Sequence, residues 1–69
     1  MMNAGNKQIE SNNLKVIKDQ LASESLMNKK FNEYGEMCSD PQIKSLCSQS
    51  SEVHKQNFTN LKTYLDSHQ

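Results

Sequence analysis

Four polar side chains with hydrogen-bonding or metal-binding atoms occur at helical spacing in the two halves of the chain: Glu24, Asn28, His54 and Asn57. Steps of three or four residues place each pair on one face of a helix. A carboxylate beside an imidazole could hydrogen-bond to it, bind a divalent metal ion with it, or remain solvated at the edge of the helix. The chemistry therefore depends on structural elements that bring Glu24 and His54 together.

The two thiols are the other reactive groups, and their spacing gives no sign of a metal site. Cys38 and Cys47 are nine residues apart, which matches no zinc-binding pattern. We expect both to be reduced and buried as small apolar side chains, with an intersubunit disulfide as the alternative. Both lie two or more helical turns from His54, so we predict no thiol nucleophile and no enzymatic activity.

The apolar pattern predicts an all-α fold made of two helices. One runs from about residue 13 to 38 and the other from residue 41 to about 66, because apolar residues recur every three or four positions in both. The two helices are separated at Ser39-Asp40-Pro41, because a side chain that can cap a helix, followed by proline, marks the start of a new helix. A connection this short requires an antiparallel hairpin.

The length and composition allow one small domain with short ends. Sixty-nine residues, of which 33% are apolar, can form only a thin core. We expect residues 13–66 to form the hairpin, residues 1–12 to form a flexible N-terminal arm, and residues 67–69 to fray. Chains of this size usually need an additional source of stability, so we expect an oligomer.

Each helix is predicted to turn one seam of residues toward the other, with steps that alternate between three and four. The seam of the first helix is Ile17, Leu21, Glu24, Asn28, Phe31, Gly35 and Cys38. The seam of the second is Ile43, Cys47, Ser50, His54, Asn57, Leu61 and Tyr64. Folding the chain about Asp40 pairs Cys38 with Ile43, Gly35 with Cys47, Phe31 with Ser50, Asn28 with His54, Glu24 with Asn57, Leu21 with Leu61, and Ile17 with Tyr64. Polar residues thus face one another in the middle.

In a single hairpin, the apolar residues beside the two seams would be exposed to water on one side. They are Leu14, Met27 and Tyr34 in the first helix, and Leu46, Val53, Phe58 and Leu65 in the second. We therefore predict a homodimer in which two hairpins form a four-helix bundle. Its core contacts would come from Ile17, Leu21, Phe31, Leu61 and Tyr64. A buried polar layer, formed by Glu24, Asn28, His54 and Asn57, would lie near the twofold axis and fix the alignment.

Charge and hydropathy argue against two classes of partner. Eight Lys and Arg residues balance eight Asp and Glu residues, so we expect no binding to nucleic acid. No apolar run approaches the roughly 20 residues of a membrane span, and the first residues lack the hydrophobic stretch of a signal peptide. We therefore expect an intracellular protein without membrane contact. The lysines mostly avoid the seams, and we interpret them as a solvated surface.

Several short motifs follow one another between Leu21 and Leu65. They are Ser23-Glu24, Tyr34, the turn Cys38-Ser39-Asp40-Pro41, Leu46, and the run Asn60-Leu61-Lys62-Thr63-Tyr64-Leu65. In this order the segment resembles the small ferritin-like proteins grouped with the spore coat F family of endospore-forming bacteria. The resemblance implies a ferritin-like helical hairpin in the spore coat or in the sporulating cell, with other coat proteins as partners.

The same resemblance bears on metal binding. In ferritin-like di-iron proteins one helix of each half supplies a Glu and the next supplies Glu-x-x-His. Glu24 matches the first position, but the second motif falls on His54 and Asn57, where this chain has His-x-x-Asn. The change removes a carboxylate, so we expect no oxidase or iron-storage activity and no cofactor. A single divalent metal ion bound by Glu24 and His54 of two chains is the alternative, with Asn28 and Asn57 supporting the ligands.

These observations lead to one predicted function and two alternatives. We predict a non-enzymatic structural or interaction protein of the spore coat that self-associates through its hairpin. The alternatives are a ferritin-like metal-binding protein and a helical adaptor that adds two helices to the bundle of a larger partner.

Overall fold

The computed structural model describes residues 9–68, which contain two α-helices, α1 (Ser11–Met37) and α2 (Pro41–Asp66). The helices pack against each other and run antiparallel, since Asn28 contacts Ser51 in the middle while Gly35 lies against Cys47 near the turn. The predicted helical hairpin is therefore confirmed. No β-strand occurs among residues 9–68.

The start of α2 is fixed by its first residues. Asp40 has extended backbone angles, φ −75° and ψ 122°, and its Oδ1 accepts hydrogen bonds from the backbone N–H groups of Gln42 at 2.7 Å and Ile43 at 3.4 Å. Pro41 occupies the first turn, where a backbone N–H would have no partner within the helix. The predicted helix boundary at Asp40 and Pro41 is confirmed.

The helix ends differ slightly from the sequence prediction. α1 begins at Ser11, two residues before the predicted start, and ends at Met37, one residue before the predicted end. Residues 1–8 of the predicted arm and Gln69 lie outside the described residues. Ser67 and His68 form a turn, in which their backbone N–H groups donate to carbonyl oxygens in the last turn of α2.

The helix interface buries few side chains completely. Among residues 9–68, Leu65 is the buried apolar residue and Ser51 the buried polar residue, with 9% and 3% of their surface exposed. The half-buried residues include four predicted core positions, namely Ile17, Leu21, Phe31 and Leu61. A hairpin is one layer of helices thick, so its two broad sides remain uncovered.

The predicted seam of α2 is wrong at both ends. Tyr64 is 50% exposed and Ile43 is 45% exposed, whereas Leu65 is buried. The prediction assumed a strict seven-residue repeat, but a straight α-helix departs from that repeat by about 20° in every seven residues. At Tyr64 this drift has turned the side chain away from α1, and its ring stacks on His68. Ile43 lies in the first turn of α2, close to where α1 has ended.

Candidate functional site

A polar cluster of Glu24, His54 and Asn57 lies in the middle of the helix interface. Glu24 projects from α1, and its carboxylate oxygens accept hydrogen bonds from two residues of α2, Oε1 from Nδ1 of His54 and Oε2 from Nδ2 of Asn57 at 3.3 Å. An ionised carboxylate only accepts, so this contact requires a proton on Nδ1 of His54. The side chains of Glu24 and His54 are 23% and 27% exposed. The structure therefore brings Glu24 and His54 into contact at the interface rather than on an outer surface.

The aromatic ring of Phe31 packs against His54. The ring of Phe31 stacks on the imidazole with centroids 5.6 Å and planes 10° apart, and Tyr34 meets Phe31 edge to face at 5.9 Å. Such packing restricts the imidazole and replaces water on one of its faces. The sequence prediction placed Phe31 opposite Ser50 and so missed this contact. The available signal was spacing, because Phe31 follows Glu24 by seven residues and lies on the same helix face.

Asn28 belongs to a separate pair with Ser51. Its Nδ2 donates to the Ser51 carbonyl oxygen at 2.8 Å and to Ser51 Oγ at 2.7 Å. The Ser51 hydroxyl in turn donates to the Asn28 carbonyl oxygen at 3.3 Å. The hydrogen-bond partner of Asn28 is Ser51 and not His54, although His54 contacts Glu24 and Phe31 on either side of Asn28. Sequence reasoning missed Ser51, since the adjacent Ser50 occupied the position in the seven-residue repeat.

The cluster forms hydrogen bonds between the helices, but the side chains of one hairpin offer few groups for metal binding or catalysis. Both oxygens of Glu24 already have partners, and within residues 9–68 no buried side-chain nitrogen or oxygen lacks one. The same residues contain no group of three or more His, Cys, Asp or Glu side chains placed to bind a metal ion. Cys38 and Cys47 are free thiols and half-buried. With a single carboxylate, the cluster does not fit a di-iron site, which needs several.

A shallow groove of about 210 Å³ crosses the hairpin near its turn. The residues that line it come from both helices and are Phe31, Asn32, Gly35, Glu36, Lys44 and Ser48. The groove therefore identifies one broad side of the hairpin, the groove face, on which Asn32 and Glu36 of α1 lie beside Lys44 and Ser48 of α2.

The opposite broad side begins with Tyr34 and Leu46. Tyr34 lies two residues from both Asn32 and Glu36 in α1, and Leu46 lies two residues after Lys44 in α2. Two residues correspond to a rotation of about 200° around a helix. Tyr34 and Leu46 therefore lie on the side opposite the groove, in both helices at once.

Helical spacing extends this side along the whole hairpin. Val16 and Met27 precede Tyr34 by eighteen and seven residues, and Val53 and Tyr64 follow Leu46 by seven and eighteen residues. Both intervals are close to whole numbers of turns. We call the resulting surface the apolar face, and it consists of Val16, Met27, Tyr34, Leu46, Val53 and Tyr64.

The apolar face is open to solvent in the single hairpin. Leu46 is 61% exposed and Val53 is 57% exposed, and Val16, Tyr34 and Tyr64 are also exposed. At the turn, Met37 is 79% exposed. Isolated exposed apolar residues are ordinary, whereas a row of them along one side of two helices is typical of interaction surfaces.

Neither α1 nor α2 contains a stretch apolar enough, over the length required, to cross a membrane. Comparisons with protein-family models, with curated proteins and with solved structures found no match for the chain. The resemblance to spore coat F proteins therefore stays a prediction.

Proposed function

We propose that this protein is a non-enzymatic structural protein that self-associates, two hairpins pairing through their apolar faces to form a four-helix bundle. The observation that carries the proposal is the exposed apolar face, which runs along both helices. A hairpin whose interface buries only Leu65 among its described apolar residues has little core of its own. Covering the apolar face would supply the missing core.

The size of the apolar face suits a stable dimer. Helices of 26 and 27 residues are about 40 Å long, and two helices side by side are about 18 Å wide. Such a side offers about 700 Å² per copy, close to the roughly 800 Å² that each partner buries in a stable interface. A second copy of the same chain would thus match the surface in both length and width.

The composition of the apolar face also favours self-association. The positions that lie one turn from its apolar residues are mainly uncharged and include Gln20, Ser23, Ser50, Asn57 and Asn60, while Lys30 is a cation at its edge. Two identical faces can approach only if they do not repel each other, and uncharged polar residues satisfy this condition. The charged groove face offers no such match with itself.

Pairing would give the polar cluster a role in alignment. Asn57 follows Val53 by four residues, so the edge of the cluster that it forms lies next to the apolar face. In a dimer the two clusters would be enclosed, and enclosed hydrogen-bonded groups disfavour any alignment that leaves them unpaired. We propose this alignment as the function of Glu24, His54 and Asn57.

We place this function in the spore coat or the sporulating cell, with other coat proteins as further partners. The support for this setting is the resemblance of the segment from Leu21 to Leu65 to the spore coat F family. A coat role predicts production late in sporulation and recovery in the coat fraction of purified spores. Constant production during vegetative growth would contradict it.

Sedimentation equilibrium tests self-association directly. We expect the parent protein to sediment as a dimer at micromolar concentration and the Leu46→Lys variant to sediment as a monomer, because a charge in the paired face is not neutralised. Ser48→Lys is the matched control, since it adds the same charge two residues away on the groove face, and it should remain dimeric. A parent protein that stays monomeric up to millimolar concentration would overturn the proposal and favour the adaptor alternative.

Metal binding is a second candidate, and the contact between Glu24 and His54 favours it. Two clusters brought together in a dimer would offer two carboxylates and two imidazoles, a ligand set that suits a single zinc, iron or manganese ion. Metal analysis of untagged protein, repeated for Glu24→Gln and His54→Ala, tests this. We expect about one ion per dimer in the parent and none in the variants if metal binding is correct. A metal content near zero in the parent would exclude it.

A further inference from the structure

The groove face carries a row of lysines that the proposed self-association does not use. Lys44 lines the groove, and Lys55 and Lys62 follow it by eleven and eighteen residues, so all three lie on the same side of α2. In α1, Lys18 and Lys29 precede the groove residue Glu36 by eighteen and seven residues and lie on its side. All five lysines of this side are exposed, namely Lys18, Lys29, Lys44, Lys55 and Lys62.

The groove face is positively charged although the whole chain is neutral. Four helical carboxylates lie on or beside it, namely Glu33, Glu36, Glu52 and Asp66, and Asp66 already accepts a hydrogen bond from Lys62 at 2.8 Å. Five lysines therefore outnumber four carboxylates on this side, a small positive excess. The chain has no net charge, so the compensating carboxylates lie elsewhere on the surface. Charge separated in this way favours an anionic partner on one side only.

The groove adds an apolar position to this charged surface. Gly35 lies within α1 with ordinary negative φ, so its backbone does not require glycine. A Cβ there would meet the Cys47 Cβ at 3.4 Å, an ordinary contact, so packing does not require glycine either. Glycine nevertheless costs a helix roughly 1 kcal/mol relative to alanine. Because glycine has no side chain, the groove stays open at this position beside the ring of Phe31.

We propose that the groove face binds an acidic segment of a partner protein, which inserts one apolar side chain into the groove and lays its carboxylates along the lysines. Phe31 supplies the apolar wall, and Asn32 and Ser48 supply hydrogen-bonding groups at the rim. A nucleic acid would gain from the lysines but would leave the apolar wall unused. The proposal uses the side opposite the apolar face and does not depend on dimer formation.

Fluorescence anisotropy with two short labelled peptides tests this proposal. One probe is a run of glutamates with a single central leucine, and the other has serine in place of that leucine. We expect the leucine probe to bind about tenfold more tightly, since it places an apolar side chain in the groove. Absence of binding by either probe, or equal binding by both, would overturn the proposal. Tighter binding of a single-stranded oligonucleotide of equal charge would overturn it as well.

Three variants locate the site. Lys44→Glu should weaken binding of the leucine probe at least tenfold. Lys15→Glu makes the same charge change in α1, away from the groove, and should have little effect on this binding. Gly35→Ala narrows the groove and should reduce the preference for leucine over serine. Circular dichroism establishes that each variant remains helical. Equal weakening by Lys44→Glu and Lys15→Glu would show attraction to overall charge and would contradict a defined site.

Discussion

The interface between α1 and α2 is built differently in its middle and toward the open end of the hairpin, away from the turn. Toward the open end the half-buried and buried residues are mainly apolar and include Ile17, Leu21, Leu61 and Leu65. In the middle they include polar residues that hydrogen-bond between the helices beside Phe31, with Asn28 bound to Ser51 and Glu24 bound to His54 and Asn57. The same two helices are therefore held by two kinds of contact.

The difference separates stability from alignment. Apolar contacts depend on the area removed from water and tolerate a shift of one helix along the other. Hydrogen bonds depend on particular partners, and a shift of one turn would leave the buried Ser51 and the carboxylate of Glu24 without theirs. We infer that the open end supplies most of the stabilising free energy, while the middle selects one alignment of the helices.

The largest expected effect is at the open end. Leu65→Ala removes the buried apolar side chain and should lower the free energy of unfolding by about 2 to 3 kcal/mol, near the lower end for buried leucines because the surrounding core is thin. Urea denaturation at fixed protein concentration measures this. Leu61→Ala and Leu21→Ala, at half-buried positions, should cost less than Leu65→Ala.

Tyr64→Ala is the matched control for Leu65→Ala, because Tyr64 is adjacent but exposed in the single hairpin. At dilution, where the proposed dimer would dissociate, its loss should stay below about 1 kcal/mol. In concentrated protein the loss should grow if Tyr64 is covered by a second copy. Equal losses from both variants at dilution would mean that the seven-residue repeat, and not the observed interface, describes α2.

The next effect is in the polar middle. Asn28→Ala leaves the buried Ser51 with fewer partners and should cost about 1 to 2 kcal/mol, whereas Asn32→Ala, one turn further on and exposed, should change stability by less than about 0.5 kcal/mol. A double-mutant cycle of Asn28→Ala with Ser51→Ala should show a coupling above about 0.5 kcal/mol. Additive losses would show that the two side chains do not depend on each other.

The sequence predicted the helices and part of their pairing, for identifiable reasons. Asp40 and Pro41 carry local signals that do not depend on tertiary contacts, so the turn and the start of α2 were predictable. Glu24 lies opposite Asn57, and Gly35 opposite Cys47, as folding the chain about Asp40 predicts. These pairs depend only on the length of the connection.

The ends of the α2 seam were predicted incorrectly, and toward the C-terminus the sequence contained a better choice. The series with Phe58 and Leu65 is more apolar than the one chosen, which used Asn57 and Tyr64 at the same levels. The structure buries Leu65 and half-buries Phe58. The partner of Asn28 had no such signal, because Ser50 and Ser51 are adjacent and identical. Only the rotation of the helix decides which serine faces α1.

A smaller effect is expected at Glu24. Glu24→Gln keeps the shape of the side chain but replaces one acceptor oxygen with an NH₂ group, so Nδ1 of His54 or Nδ2 of Asn57 loses its acceptor. Partial exposure of the cluster limits the loss to about 1 kcal/mol in urea denaturation. Glu33→Gln changes an exposed carboxylate of the same helix and should be nearly neutral. Equal effects would mean that the cluster contributes no specific contact.

Gly35→Ala should have the smallest effect and the opposite sign, because it acts near the turn, where neither kind of contact dominates. The added methyl group would lie 3.4 Å from the Cys47 Cβ, and the helix would no longer contain a flexible residue. Stability should rise by about 0.5 to 1 kcal/mol. Ala22→Gly, at an exposed position of α1, should lower stability by a similar amount in the same urea measurement. A loss of stability on Gly35→Ala would instead mean that the helices near the turn cannot separate by even a few tenths of an ångström. Close packing of the two helix backbones, and not an open groove, would then account for glycine at this position.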